Sequence, residues 1–407
     1  MNSTGTKAGV GFSEKPKSYA AGVEAASAAI NEAGVSKCEL AIMYSTSKHE
    51  PTELRNGVRS VIGPDTRLIG GYAMGAFTKD QLGYDGYQMA IAVLSSDSIK
   101  VDMFIEKGLP DNEYNIGIAL GEQIKSKDYV GTPNILLMYD SIKGKAPNGA
   151  VFNLNLATPL IEGMRHALGT WPPAAGVGML GDLQSNPTYQ WFDDRIEQQA
   201  AMALVISAGV RMDTIIMHGC KPSSGYHTIT KAEQNVVLEI DHKRAVDAVA
   251  ELLGKSYKSW EEFPFFLTLG VNKGEKFGEF REEEYANRLV MGVDRDRGGL
   301  IMFDADLVAG SEVQLMRRSI DFGYMRERAE TLLKRVGDRK PFFALYVDCA
   351  GRASAFCGSE GEEAGEVQNI IGSRMPLLGM YSGVEIAKVG EGMQALDWTG
   401  VLCVFSE

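Results

Sequence analysis

Metal boxes, P-loops and long apolar runs are all missing from this chain of 407 residues. The five cysteines, Cys38, Cys220, Cys349, Cys357 and Cys403, are odd in number, widely spread and free of any CxxC pair. They fit neither a disulfide framework nor a structural zinc site, and read as reduced thiols. Only five histidines occur, with no HExxH and no CxxCH, which argues against zinc hydrolysis and c-type haem. Neither GxxxxGKS/T nor GxSxG is present, so P-loop and serine-hydrolase readings are weak. No apolar run approaches the roughly 18 residues of a membrane span. The start, MNSTGTKAGV, lacks a basic stretch followed by an apolar one, so a cytoplasmic location is expected. With 53 acids against 41 bases, a net charge of -12 and no Lys/Arg cluster, neither nucleic acid nor an anionic membrane is an expected partner.

What remains is an ordinary globular composition, 44% hydrophobic and 23% charged, long enough for two or three domains with full cores. One order of elements occurs three times: an apolar strand ending in small or polar residues, a helix, then a strand that breaks into glycines. The first copy is Leu40 to Ser45, Pro51 to Ile62 and TRLIGGYAMGAF at 66–77. The second is NILLMYDS at 134–141, Thr158 to Leu168 and PAAGVGMLGD at 173–182. The third is PFFALYVDCAGR at 341–352, EEAGEVQNII at 362–371 and PLLGMYSGVEIA at 376–387. Its run from Phe342 to Val347 is too short for a helix, which places Asp348 to Arg352 where a strand leaves its sheet, the edge at which open α/β sheets bind ligands.

Around these copies, GVGFS at 9–13 precedes an Ala-rich helix over 18–33 closed by Gly34. Alternation over 86–94 and 99–105 predicts a hairpin, while KGKAPN at 143–148 and QSNPTYQWFDD at 184–194 read as loops. From Ala201 onward short β-rich segments dominate, including a hairpin over 227–240 with KAEQN as its turn. The expected fold is α/β, two domains of mixed β-sheets flanked by helices, layered helix, sheet, sheet, helix. The boundary is placed between 8–210 and 211–407.

Six phrases in order, GVGFS, LIGGYAMG, GCKP at 219–222, TITKAEQNVVLEID at 228–241, CAGR at 349–352 and PLLGMYSGVEIA, resemble the marks of FIST (F-box and intracellular signal transduction) proteins. The match runs from about Gly9 to Glu407 in the family's N-terminal then C-terminal domain order, with Asp241-His242 in place of the usual Asp-Gly. The resemblance implies a sensory input module that binds small molecules such as amino acids, with haem and nitric oxide sensing in some members. A stand-alone sensor without its own output domain is expected, signalling through a partner such as a kinase or a cyclic-nucleotide enzyme.

Arg352 offers a bidentate fork for a ligand carboxylate and Glu385 a carboxylate for an ammonium, with Tyr381, Gly383, Cys349, Gly71 and Tyr72 around the glycine turns. An Arg352–Glu385 salt bridge without ligand would account for the same two residues. No cofactor is the first expectation. Haem on His218, His227 or Cys220 is the alternative, and catalysis by a Cys349 thiolate activated by nearby positive charge is the third.

Overall fold

The computed structural model describes residues 5–145, 153–182, 186–254, 267–319 and 321–407. The three copies build three six-stranded sheets of one topology. The first runs Lys7–Ser13, Met89–Ser95, Leu40–Ser45, Arg67–Tyr72, Gln190–Phe192, Arg195–Glu197. The second runs Lys100–Lys107, Ala200–Ser207, Asn134–Asp140, Ala174–Met179, Val384–Val389, Gly392–Leu396. The third runs Arg211–Met217, Gly400–Ser406, Pro341–Cys349, Leu377–Ser382, Gly75–Thr78, Leu82–Gly83. Only the central pair of each sheet is parallel. A parallel pair needs a crossover, and the crossovers are the helices Pro51–Ile62, Ala157–Leu168 and Glu363–Val367, the last continuing as a π turn over Gln368–Gly372.

The last two strands of each sheet come from a different copy. The strand pair 75–83 of the first copy completes the third sheet, the hairpin 190–197 of the second completes the first, and the hairpin 384–396 of the third completes the second. The exchange is cyclic. Inner faces of all three sheets meet in one core, through Ile42 and Tyr44, Leu136 and Met138, Leu345 and Val347. Outer faces carry two helices each, so a section through any two sheets reads helix, sheet, sheet, helix. Burial on both faces explains why LAIMYS, NILLMYD and FFALYV are continuously apolar rather than alternating.

The glycines of GVGFS allow close helix packing. A side chain at Gly9 or Gly11 would meet the Ala29 or Ala25 carbonyl oxygen at 2.2 or 1.9 Å, so the helix Ser18–Ala33 lies with its buried alanines against the first strand. Gly34 ends it in the left-handed conformation at φ 64°.

Between the first strand and first helix of the third copy, the chain inserts a closed ring of six strands. These are His227–Glu233, Val236–Ile240, Gly299–Met302, Tyr285–Asp294, Thr268–Asn272 and Glu312–Arg318. Glu312–Arg318 pairs with both Thr268–Asn272 and His227–Glu233 and so closes the barrel. Ile229, Val237, Leu269, Val290, Leu300 and Leu315 fill it.

Sheets flanked by helices are as expected, and KAEQN does turn a hairpin. Two local expectations are corrected. Met89–Ser95 and Lys100–Lys107 do not pair, because the first joins the first sheet and the second starts the second sheet. Alternation marks a strand and is silent about its partner. The loop over 184–194 contains strand Gln190–Phe192, whose Trp191 is buried under the helices of the first copy. Residues 146–148 of the KGKAPN loop and 184–185 of the second loop lie outside the described residues. The 210/211 division falls between the second and third copies.

Candidate functional site

The strand Pro341–Cys349 delivers Asp348 to the end of the third sheet, and the turn Ala350–Arg352 bends Arg352 back over it. Both side chains are fully buried. Arg352 Nε pairs with Asp348 Oδ1 at 2.8 Å, and Nη2 pairs with Glu363 Oε2 at 2.5 Å. Nη1 donates to the carbonyls of Met217 (2.9 Å) and Trp398 (3.2 Å), and Nη2 also donates to Tyr324 Oη at 3.0 Å. Nη1 and Nη2 are thus hydrogen-bonded and Nε is ion-paired, and the guanidinium brings the first strand, the first helix, the crossover helix and the final loop of the third copy to one point. Burial pushes the Asp348 carboxyl up to about 6, with Arg352 opposing the rise.

The expected Arg352–Glu385 partnership is not formed. Glu385 sits on the hairpin exchanged into the second sheet, where it accepts from Ser382 Oγ at 2.6 Å and Thr399 N at 3.3 Å. Complete burial raises its pKa well above the carboxylate range, so it is no ready anion for an ammonium. Cys349 is likewise buried, which raises its thiol pKa and leaves little thiolate for nucleophilic attack. Tyr381 donates to Glu362 Oε2 at 2.7 Å, and Tyr84 donates to Oε1 of the same carboxylate at 2.8 Å. Gly383 donates to the Gly178 carbonyl at 2.9 Å where the third copy crosses to the second. Gly71 and Tyr72 lie in the first copy. A side chain at Gly71 would strike Met179 Sδ at 2.4 Å, while Tyr72 lines a separate cavity.

Haem ligation finds no open nitrogen at His218. Its Nδ1 accepts from Cys220 N at 2.9 Å and its Nε2 donates to the Glu282 carbonyl at 3.2 Å. Burial pushes the Cys220 thiol up to about 11. His227 holds Asp241 through Nδ1 at 2.7 Å; its buried Nε2 has no hydrogen-bond partner. Among the described residues, neither the cavity at Tyr72 nor the groove beside Arg318 has His218, His227 or Cys220 in its walls. Among the described residues no three His, Cys, Asp or Glu side chains are placed to hold a metal, and no helix is long and apolar enough to cross a membrane.

Sequence reading missed the open site beside the Arg352 cluster. A groove of about 800 Å³ separates the end of the barrel strand Glu312–Arg318 from the third copy, with Leu315, Arg317, Arg318, Phe322, Cys357 and Glu360 in its walls. Arg318 Nη2 joins Arg352 on Glu363, and its guanidinium lies 5.1 Å from the Trp398 ring. Its Nε is buried without an acceptor. Arg317 and Arg318 gave one usable signal, adjacent cations at the end of an apolar strand. Glu363 gave none, since nothing local distinguishes it from Glu362.

A six-strand barrel is thus set into a threefold-repeated α/β body, with a charged groove at the junction. The chain belongs to the FIST family, whose domains are sensory domains of signal transduction: the FIST N domain matches residues 39–243 and the FIST C domain residues 245–388. An uncharacterized protein of Methanocaldococcus jannaschii is similar at 22% identity over 338 residues, 76% of this chain and 60% of that protein. The chain thus spans about 60% of the length of that curated relative.

Proposed function

We propose that this chain is a sensory protein that binds an amino acid or related small carboxylate in the groove between barrel and third copy. The observation carrying this reading is the buried, unpartnered Nε of Arg318 in the groove wall, next to an exposed Arg317. A buried guanidinium N–H without an acceptor is costly, and a ligand carboxylate would supply one in bidentate geometry. Glu360 is placed in the same groove to receive an ammonium, and Leu315 and Phe322 offer apolar surface to a side chain. Arg352 acts beneath this site, holding Glu363 in place for Arg318.

The test is a thermal-shift screen of the protein amino acids and short-chain carboxylates. A ligand at 100 times its dissociation constant stabilises the native state by about 2.7 kcal/mol. At least one compound is expected to raise the midpoint, with Arg317→Ala and Arg318→Lys each weakening the effect. No shift with any compound, or a shift indifferent to both substitutions, would overturn the assignment.

A further inference from the structure

The groove between barrel and third copy is larger than a free amino acid needs. Its volume is about 800 Å³. A water takes up about 30 Å³ in the liquid, so the groove has the room of about 27 waters. Even tryptophan fills no more than about half of that, whereas a tripeptide occupies most of it.

The apolar surface of the groove comes from both sides of the junction. Leu253, which ends the helix Ala245–Leu253, and Leu267, just ahead of strand Thr268–Asn272, belong to the barrel core. Phe322, just ahead of the helix Gly323–Val336, packs against the outer-face core of the third sheet. A ligand with a single side chain can cover one of these walls. In an extended peptide successive side chains point to opposite sides, so two neighbouring apolar residues cover both. The charges in the walls suit the two ends of such a ligand, with Arg317 and Arg318 for a terminal carboxylate and Glu360 for a terminal ammonium.

We infer that the ligand of the groove is a di- or tripeptide with apolar residues at its C-terminal end, a reading that rests on the carboxylate site proposed above. Arg317 and Arg318 take the C-terminal carboxylate. The last two side chains lie against the barrel wall and the body wall, and the N-terminal ammonium is turned toward Glu360.

The experiment is titration calorimetry of the full chain with leucine, with the peptides Ala-Leu-Leu and Ala-Gly-Leu, and with Ala-Leu-Leu carrying a C-terminal amide. Ala-Leu-Leu is expected to bind at least about tenfold more tightly than leucine, and at least about fivefold more tightly than Ala-Gly-Leu, which lacks one of the two apolar side chains. The amide should bind at least about tenfold more weakly than the acid, because it brings no charge to the guanidinium groups. Cys357 reports the location, since it lines the groove and is the one cysteine of the five that is not buried. Ala-Leu-Leu at about ten times its dissociation constant should slow alkylation of Cys357 by iodoacetamide about tenfold, by mass action. Leucine or Ala-Gly-Leu binding as tightly as Ala-Leu-Leu, or no binding of Ala-Leu-Leu, overturns the peptide assignment, while the thermal-shift screen still decides the carboxylate site. Equal binding of the amide overturns both readings. Binding that leaves Cys357 unprotected overturns the peptide assignment too, by moving the peptide out of the groove.

Discussion

If Arg352 holds the third copy together, replacing it with methionine destabilises the protein even without ligand. The substitution conserves the length of the stem and removes the charge. Glu363 keeps Arg318, but Asp348 loses the guanidinium it is paired with while remaining fully buried. Breaking a buried pair by removing one partner costs about 3–5 kcal/mol. The Met217 and Trp398 carbonyls also lose donors. The loss should depend on pH. Asp348 already has a folded-state pKa raised to about 6 by burial, with Arg352 holding it down. Without Arg352 it rises further, so the native state binds a proton that the unfolded state releases above about pH 4. Stability linked to that proton is present below the unfolded pKa and is lost as pH rises through the folded one. Urea midpoints followed by far-UV circular dichroism should therefore show a small loss for Arg352→Met near about pH 5 and a larger one near about pH 8. Addition of Asp348→Asn should recover part of the loss at the higher pH. Unchanged apo stability with loss of ligand response would refute this reasoning and restore Arg352 as a ligand fork.

Gly379→Ala would place a methyl 1.9 Å from Phe77 Cε2 on the strand exchanged from the first copy. Glycine to alanine within a strand ordinarily gains about 0.5–1 kcal/mol. Here overpacking should cost about 1–3 kcal/mol in urea unfolding, and a gain would show that the exchanged strand is not held against the third sheet. Burial pushes Asp397 up to about 7 and also raises Asp304, while Arg288 opposes both. Stability from this pair is present below about pH 4 and is lost as pH rises through about 7. Melting temperature should thus fall between about pH 5.5 and pH 8, and Asp397→Asn should flatten the slope; an unaltered slope would exclude Asp397 as its source.

The repeat was legible because double burial leaves a local trace. Strands covered on both faces are written as unbroken apolar runs, and three such runs with helices after them define three units. Helix ends were legible at Gly34, where a positive φ needs glycine, and at Pro51, whose missing N–H costs nothing in a first turn. Pairing was not legible. Gly75–Thr78 hydrogen-bonds to strand Leu377–Ser382, about 300 residues away, and no periodicity encodes that partner. The same limit separated Arg352 from Glu385. They are 33 positions apart and belong to one sequence copy, yet the exchange sends Glu385 into another sheet. Arg352 stands out in the sequence as a charge at a strand end, but its partners Asp348 and Glu363 are visible only once the turn and crossover helix are in place.

The cyclic exchange also determines what a ligand in the groove can influence. Each sheet is completed by a hairpin from another copy, so no copy can open without unpairing strands in two sheets, and the body is one cooperative unit. The barrel is different, since the chain enters it at residues 217–219, leaves it after Ser319, and gives it its own core. Its closing strand ends in Arg318, whose ion pair to Glu363 crosses from barrel to body. Glu363 is shared with Arg352, the residue that ties four segments of the third copy. On the proposed reading, a carboxylate on Arg318 would act at the joint between barrel and body, and would compete for a guanidinium whose partner carboxylate also pairs with Arg352. Differential contact of that kind is what a ligand needs to shift a conformational equilibrium, and the proposed reading would put the coupling at the Arg318–Glu363–Arg352 chain rather than in either core.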